Sequence, residues 1–242
     1  MIDQLGIGPG DAVLQVGAGE KAYHSIACAV RGAKVDIVQP DYWIEEDKTN
    51  NISQHDYLVE SIKHRRGYSI DAFGKDLIGD RIDTENYRGY IQDVNIPTNR
   101  YSYVFLLNIL DSVVAELHRQ TVINSGNSKF LMAFMAMRLQ QSISDVEIIK
   151  KRVIEVVLSS CKDNVTVLLS TKPGRVTYLQ KETRFFKNHA EKLGYTVEEG
   201  RVFNTEFNDI VEELIVTRNR EETHTLLKGY DFQKQRVLSG YI

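Results

Sequence analysis

Cysteine is nearly missing from this chain: Cys28 and Cys161 are the only 2 in 242 residues. Two thiols build neither a disulfide framework nor a four-cysteine zinc site. They read as reduced, buried side chains of a cytoplasmic protein. Proline is scarce too, with 4 residues, and no Ser/Gly-rich run marks a linker. One α/β domain over residues 1–242 is therefore expected. Nothing approaches the roughly 18 to 20 consecutive apolar residues of a membrane span. The start, Met1-Ile-Asp-Gln-Leu5, lacks the basic-then-apolar profile of a signal peptide. An excess of one charge is also absent, since 30 Lys+Arg against 33 Asp+Glu leave a net charge of −3. That balance speaks against nucleic acid as an obligatory partner. The 6 histidines fall at no metal-ligand spacing, so no metal is expected. Neither an internal repeat nor a low-complexity tract is present. What remains is 42% apolar and 26% charged residues, the balance of a soluble globular protein and too apolar for disorder.

The residues that are present alternate between two patterns. Ala12-Val-Leu-Gln-Val16 is a short apolar run rich in β-branched residues, hence a buried strand. Gly17-Ala-Gly19 follows at once. Ala22, Ile26, Ala29 and Val30 then recur at helical spacing within 21–31, and Gly32 stands where a left-handed cap ends a helix. Lys34-Val-Asp-Ile-Val38 is a second strand, which completes a βαβ unit with parallel strands. Further on, the spacing predicts a helix over 51–66 and a third strand over Tyr87–Ile91, ending at Gln92-Asp93. A central strand is predicted over Tyr101–Leu107 and helices over 112–123 and 145–161. A fifth strand falls at Val165–Leu169, a helix at 178–193, and late strands at Tyr195–Phe203 and Glu213–Thr217. Such alternation predicts a doubly wound, mostly parallel α/β sheet that finishes in an antiparallel hairpin. On this reading residues 42–86 are an insertion between strands two and three, a candidate lid. The run Phe130-Leu-Met-Ala-Phe-Met-Ala-Met137 reads as a buried helix, or else as a substrate wall or the contact of a homodimer.

The glycine turn is the sharpest functional signal. Gly17 and Gly19 lack a Cβ, so the chain turns tightly and a ligand can lie against the backbone. The helix start that follows offers unpaired N–H groups and the positive end of a dipole. Ligands of such sheets sit outside the carboxyl ends of the strands, where the strand order reverses. That frames a site from Gln15 to Lys21, Gln39 at the end of strand two, Asp93 after strand three, and Leu107-Asn108 after strand four.

Residues Leu5-Gly-Ile-Gly-Pro-Gly-Asp-Ala-Val-Leu-Gln-Val-Gly-Ala-Gly19 resemble the first motif of class I S-adenosylmethionine-dependent methyltransferases, a Rossmann-like family. Ile91-Gln-Asp93 and Tyr101–Val113 are similar to its third and fourth motifs, and Leu193–Val197 with Glu213–Thr217 to its last two strands. The resemblance implies a seven-stranded sheet and S-adenosylmethionine as cofactor, with the methionine part against Gly17, Ala18 and Gly19. It also places the ribose by strand two and the adenine by Asp93. A cytoplasmic small-molecule biosynthesis enzyme follows, with a small-molecule substrate and neither a nucleic-acid nor a membrane partner.

The first and second motifs are degenerate. The family's usual acid in motif one is Gln15 here, and a usual third glycine is Lys21, which lies near the amino-acid end of the cofactor. The acid that grips the ribose is Gln39, with Asp41 two residues on and able to substitute. An aspartate early in strand four is Ser102. Gln39 offers the ribose a neutral acceptor, which makes a weaker hydrogen bond than a charged one. No catalytic residue is assigned, because the sulfonium is already an activated leaving group and a base is needed only for a protonated acceptor. Three alternatives stay open. One is an enzyme that attacks the aminocarboxypropyl arm of the same cofactor, by transfer or by intramolecular cyclisation, and releases methylthioadenosine. Another is a non-catalytic binding module of the same fold. The third is a nicotinamide-dinucleotide site, since Gly17-x-Gly19-x-x-Ala22 with Asp41 also meets that fingerprint.

Overall fold

The computed structural model describes residues 1–18, 22–39, 54–66, 76, 78, 80–84, 86–87, 89, 91, 94–107, 109–110, 131–171, 176–204 and 210–219. At 54–55, 57, 65–66, 131–145, 171, 176–178 and 204 it describes the backbone. The strands are β1 (Ala12–Val16), β2 (Lys34–Val38), β3 (Ile82–Asp83), β4 (Tyr101–Leu107), β5 (Cys161–Thr171), β6 (Tyr195–Asn204) and β7 (Ile210–Arg218). The helices are α1 (Ile2–Leu5), α2 (Tyr23–Val30), α3 (Gln54–Arg66), α4 (Leu131–Ser160) and α5 (Val176–Lys192).

All seven strands form one sheet in the order β3-β2-β1-β4-β5-β7-β6. The pairs β1–β2, β1–β4, β2–β3 and β4–β5 are parallel, and β7 runs antiparallel to both β5 and β6. This is the doubly wound sheet with a terminal antiparallel hairpin that the alternation predicts. Its order reverses between β1 and β4, which puts the switch point beside the glycine turn.

Alternation along the central strands builds two cores. Leu14, Val16, Val38, Val104 and Leu106 meet Val153, Ile154 and Val157 of α4 and Phe186 and Ala190 of α5. On the opposite face Val13, Val35, Ile37 and Phe105 meet Ile2 and Leu5 of α1, Cys28 and Ala29 of α2, and Leu58 and Ile62 of α3. Strands buried on both faces are mostly apolar, which is why β1 and β4 are so legible. Helix α2 stops where expected, since Gly32 takes φ +98° and a Cβ there would come within 2.9 Å of Pro9 Cγ. Both cysteines are free and buried, and burial pushes each thiol up to about 12.

Two expectations need correcting. The third strand is Ile82–Asp83, paired as Val35↔Ile82 and Asp36↔Asp83, whereas Tyr87, Gly89 and Ile91 lie in turns and a bend. Tyr87 and Ile91 are buried because they fill the core from a loop, not because they alternate along a strand. Segment 42–86 accordingly contains α3 and β3. The second correction is α4. It begins at Leu131 rather than near 145, because no glycine or proline interrupts residues 131–160, so the methionine-rich run and the following helix form one element. The predicted helix over 112–123 lies outside the described residues. No helix among the described residues is long and apolar enough to cross a membrane.

Two polar clusters brace the sheet. Asp36 of β2, 3% exposed, accepts the Tyr101 hydroxyl at 2.6 Å and pairs with Arg100 at 2.9 Å. Arg100 also donates to the Tyr87 hydroxyl at 3.4 Å, which ties down the loop that replaces the expected strand. Burial pushes the Asp36 carboxyl above its usual range, against the opposing pull of Tyr101 and Arg100. On the outer strand the register shifts between Glu199 and Val202. Arg201 there grips Glu213 of β7 with Nε at 2.7 Å and a terminal nitrogen at 2.9 Å, and its other terminal nitrogen donates to the Gln4 carbonyl at 2.6 Å. The Arg201 hydrogen bond holds the Glu213 carboxyl below the ordinary value.

Candidate functional site

The site begins where β1 ends. Gly17 takes φ +66°, a left-handed conformation that strains any L side chain. A Cβ built on it would also run into Ile109 Cδ1, from the segment after β4. Gly17 is thus fixed twice over, by backbone and by space. Its N–H donates to Val38 O at 2.8 Å, which continues the β1–β2 ladder past the last strand residue. The next amide, Ala18 N–H, donates to the side-chain Oε1 of Gln39 at 2.9 Å. Gln39 is 3% exposed, and its backbone carbonyl accepts the Gly89 N–H at 2.9 Å. The chain enters α2 through Ala22, which is buried and has φ +45°. Ala22 and Asn99 are the non-glycine residues with positive φ among those described, and strain of this kind is a feature of many binding sites.

Of the residues expected at the site, Gln15, Gly17, Ala18 and Gln39 are described, and three of them meet. Gln39 touches Ala18 directly, and Gly17 bonds to the residue before Gln39. Gln15 is turned aside: it is 2% exposed, and its Oε1 accepts the Ser25 hydroxyl of α2 at 2.6 Å. It binds strand to helix behind the turn. Gly19, Lys21, Asp41, Asp93 and Asn108 lie outside the described residues. Ser102, at the start of β4, accepts the Lys162 amine at 3.0 Å, far along the strand from the crevice. His24, in the first turn of α2, sets its ring edge-on to Phe105 at 6.1 Å. Burial, and after it the N-terminal amino group, push its pKa down. It is a neutral packing group at the margin of the crevice.

Sequence reasoning missed two residues. Ile109 was findable, because it lies two residues past the end of β4, at the switch point. Ser25 was not, because nothing in a helical serine announces that a strand residue ten positions earlier needs a donor. Among the described residues the turn meets backbone amides, the Gln39 carboxamide and the Ile109 side chain.

No family model matches the chain, and no curated protein matches it significantly. Solved structures do. A transferase of Pyrococcus horikoshii superposes with a TM-score of 0.52 at 16% identity, over 90% of this chain and 62% of that one. A SAM-dependent methyltransferase of Methanosarcina mazei superposes with a TM-score of 0.50 at 12% identity, over 90% of this chain and 96% of that one. This chain therefore spans less than two thirds of the first protein and nearly all of the second. At such identities the likeness is one of fold: the sheet and its helices are those of the Rossmann-like SAM-dependent methyltransferase fold.

Proposed function

We propose that this chain is an S-adenosylmethionine-dependent transferase that passes the sulfonium methyl to a small molecule. The observation that carries the reading is the left-handed turn at Gly17, at the switch point of a sheet with this strand order, braced by Gln39 at the end of β2. Gln39 holds the turn through its bond to Ala18, and Gly17 lets a ligand approach the backbone. When bound, the cofactor supplies an activated methyl on sulfur. The chain's own part is to align the acceptor for in-line displacement and to exclude water, effects that together account for much of such a rate. The near-neutral net charge of −3 favours a small-molecule acceptor over a nucleic acid.

Calorimetric titration with S-adenosylmethionine and S-adenosylhomocysteine tests the reading. Saturable heat with both supports it, and silence with both overturns it in favour of a non-catalytic module. One observation favours a second chemistry. Gln15, the usual acid of motif one, is neutral and turned toward Ser25, so the cofactor's aminocarboxypropyl arm meets an altered surface. Product analysis separates the two: S-adenosylhomocysteine for methyl transfer, methylthioadenosine for attack on the arm.

A further inference from the structure

We infer that Gln39 is a positioning residue, whose side-chain carbonyl acts as an added rung of the sheet and sets the glycine turn for its ligand. The inference rests on the adenosyl reading of the crevice only for its binding readout.

In a strand, successive amides point to opposite sides, so one that follows a rung to β2 should face away from β2. Gly17 N–H makes that rung, to Val38 O. The left-handed φ of +66° at Gly17 then rotates the next peptide plane, and Ala18 N–H faces β2 as well. The carbonyl that meets it belongs to the Gln39 side chain, at 2.9 Å. Gln39 is 3% exposed and Ala18 half-buried, so the bond is partly shielded from water, and losing it would leave the amide without its partner. The same residue receives Gly89 N–H on its backbone carbonyl at 2.9 Å. One residue thus joins three segments: the glycine turn, the end of β2 and the loop through Gly89.

The donor fixes the orientation of the carboxamide. An N–H can donate only to the oxygen, so the nitrogen, with its two donors, takes the other position. An acid at this place would have a second oxygen to offer to ribose hydroxyls. Gln39 has committed one lone pair to Ala18, and its contribution to binding is chiefly the shape it imposes on the turn.

Two readouts test this on the full chain, using Gln39→Leu, Gln39→Asn and Gln39→Glu. The first is amide hydrogen exchange of Ala18 without ligand, with Leu14 of β1 as the internal reference. Gln39→Leu should speed Ala18 exchange by about tenfold or more while Leu14 is unchanged. Gln39→Asn, one carbon too short, should do the same in a folded chain, and Gln39→Glu should preserve protection. The second is titration with S-adenosylhomocysteine and its 2′-deoxy and 3′-deoxy analogues. A positioning residue predicts that Gln39→Leu weakens all three by one common factor. Unchanged Ala18 exchange in Gln39→Leu and Gln39→Asn overturns the inference, as does a loss of affinity confined to the intact ribose. If the parent binds none of the nucleosides, the adenosyl reading falls, and the exchange of Ala18 still decides the role of Gln39.

Discussion

The two ends of the sheet solve the problem of buried polar groups in opposite ways. At the carboxyl ends of β1 and β2, Gln15 and Gln39 are as buried as any core residue, yet neutral, and each meets one neutral donor. Toward the amino end of β4, Asp36 from the middle of β2 is equally buried but brings a carboxyl group, a guanidinium and two phenols into one cluster. Uncharged groups suit the proposed binding end, because neutral groups lose little when water or a ligand replaces their partners. A buried carboxyl group suits a place that stays shut, because removing a partner is costly. Substitutions at the first end should therefore show in binding, and at the second in stability.

The largest effect expected is that of Gly17→Val. The side chain meets both a forbidden backbone angle and Ile109, together about 3 kcal/mol of strain and overpacking. Calorimetry should find S-adenosylhomocysteine binding lost. A folded variant that binds like the parent would move the ligand away from this turn. Next comes Asp36→Ala, which strands the buried Tyr101 hydroxyl and should cost about 2 kcal/mol in urea unfolding. Its affinity for the nucleoside should stay that of the parent. A matching loss of affinity would dissolve the contrast between the two ends.

The charge at the amino end has a pH signature. Because burial raises the Asp36 pKa in the folded chain above its ordinary 3.8, the fold holds that proton more tightly than the unfolded chain does. The resulting stabilisation is present at low pH and is lost as pH rises through the carboxylate range toward the raised value. Relative to Asp36→Asn, which does not titrate, the parent should be most stable in acid, and its advantage should shrink as pH rises. A difference that grows with pH in urea melts would mean that pairing with Arg100 outweighs burial. The smallest effect sharpens the comparison by placing charge at the neutral end. Gln39→Glu keeps the Ala18 bond with one oxygen and offers the other to a ribose hydroxyl. It should destabilise the free protein by about 1 kcal/mol through desolvation, and tighten nucleoside binding by a similar amount through a charge-assisted bond. A change of the same sign in both measurements would separate Gln39 from the ligand.

How far the sequence announces all this depends on length and on partners. Strands β1, β2 and β4 are legible to the residue, because Ala12–Val16, Lys34–Val38 and Tyr101–Leu107 are mostly apolar and β-branched or aromatic, with few polar residues inside them. Strand β3 is illegible because a pair of residues has no period, and Tyr87 and Ile91 nearby imitate one while packing from a loop. The glycine turn was visible as a motif, and so was Gln39 as a neutral residue where an acid is usual. That the Gln39 carbonyl would turn inward to Ala18 follows from the left-handed angle at Gly17, which no residue spacing encodes. The same holds for Gln15, whose partner Ser25 is set by how α2 lies on β1.

The outer strand β6 has a consequence for life in a crowded solution. Among the described residues its outer side pairs with no strand, and a ten-residue edge of that kind invites another chain to add itself. The register shift between Glu199 and Val202 breaks the regular row of donors and acceptors that such recruitment needs. Glu198 adds an acid to this edge, Glu199 pairs with Lys187 at 3.3 Å, and Arg201 is clamped to Glu213. The bulge that looks like an imperfection of the hairpin is thus a deterrent to aggregation, built into the strand that needs one most.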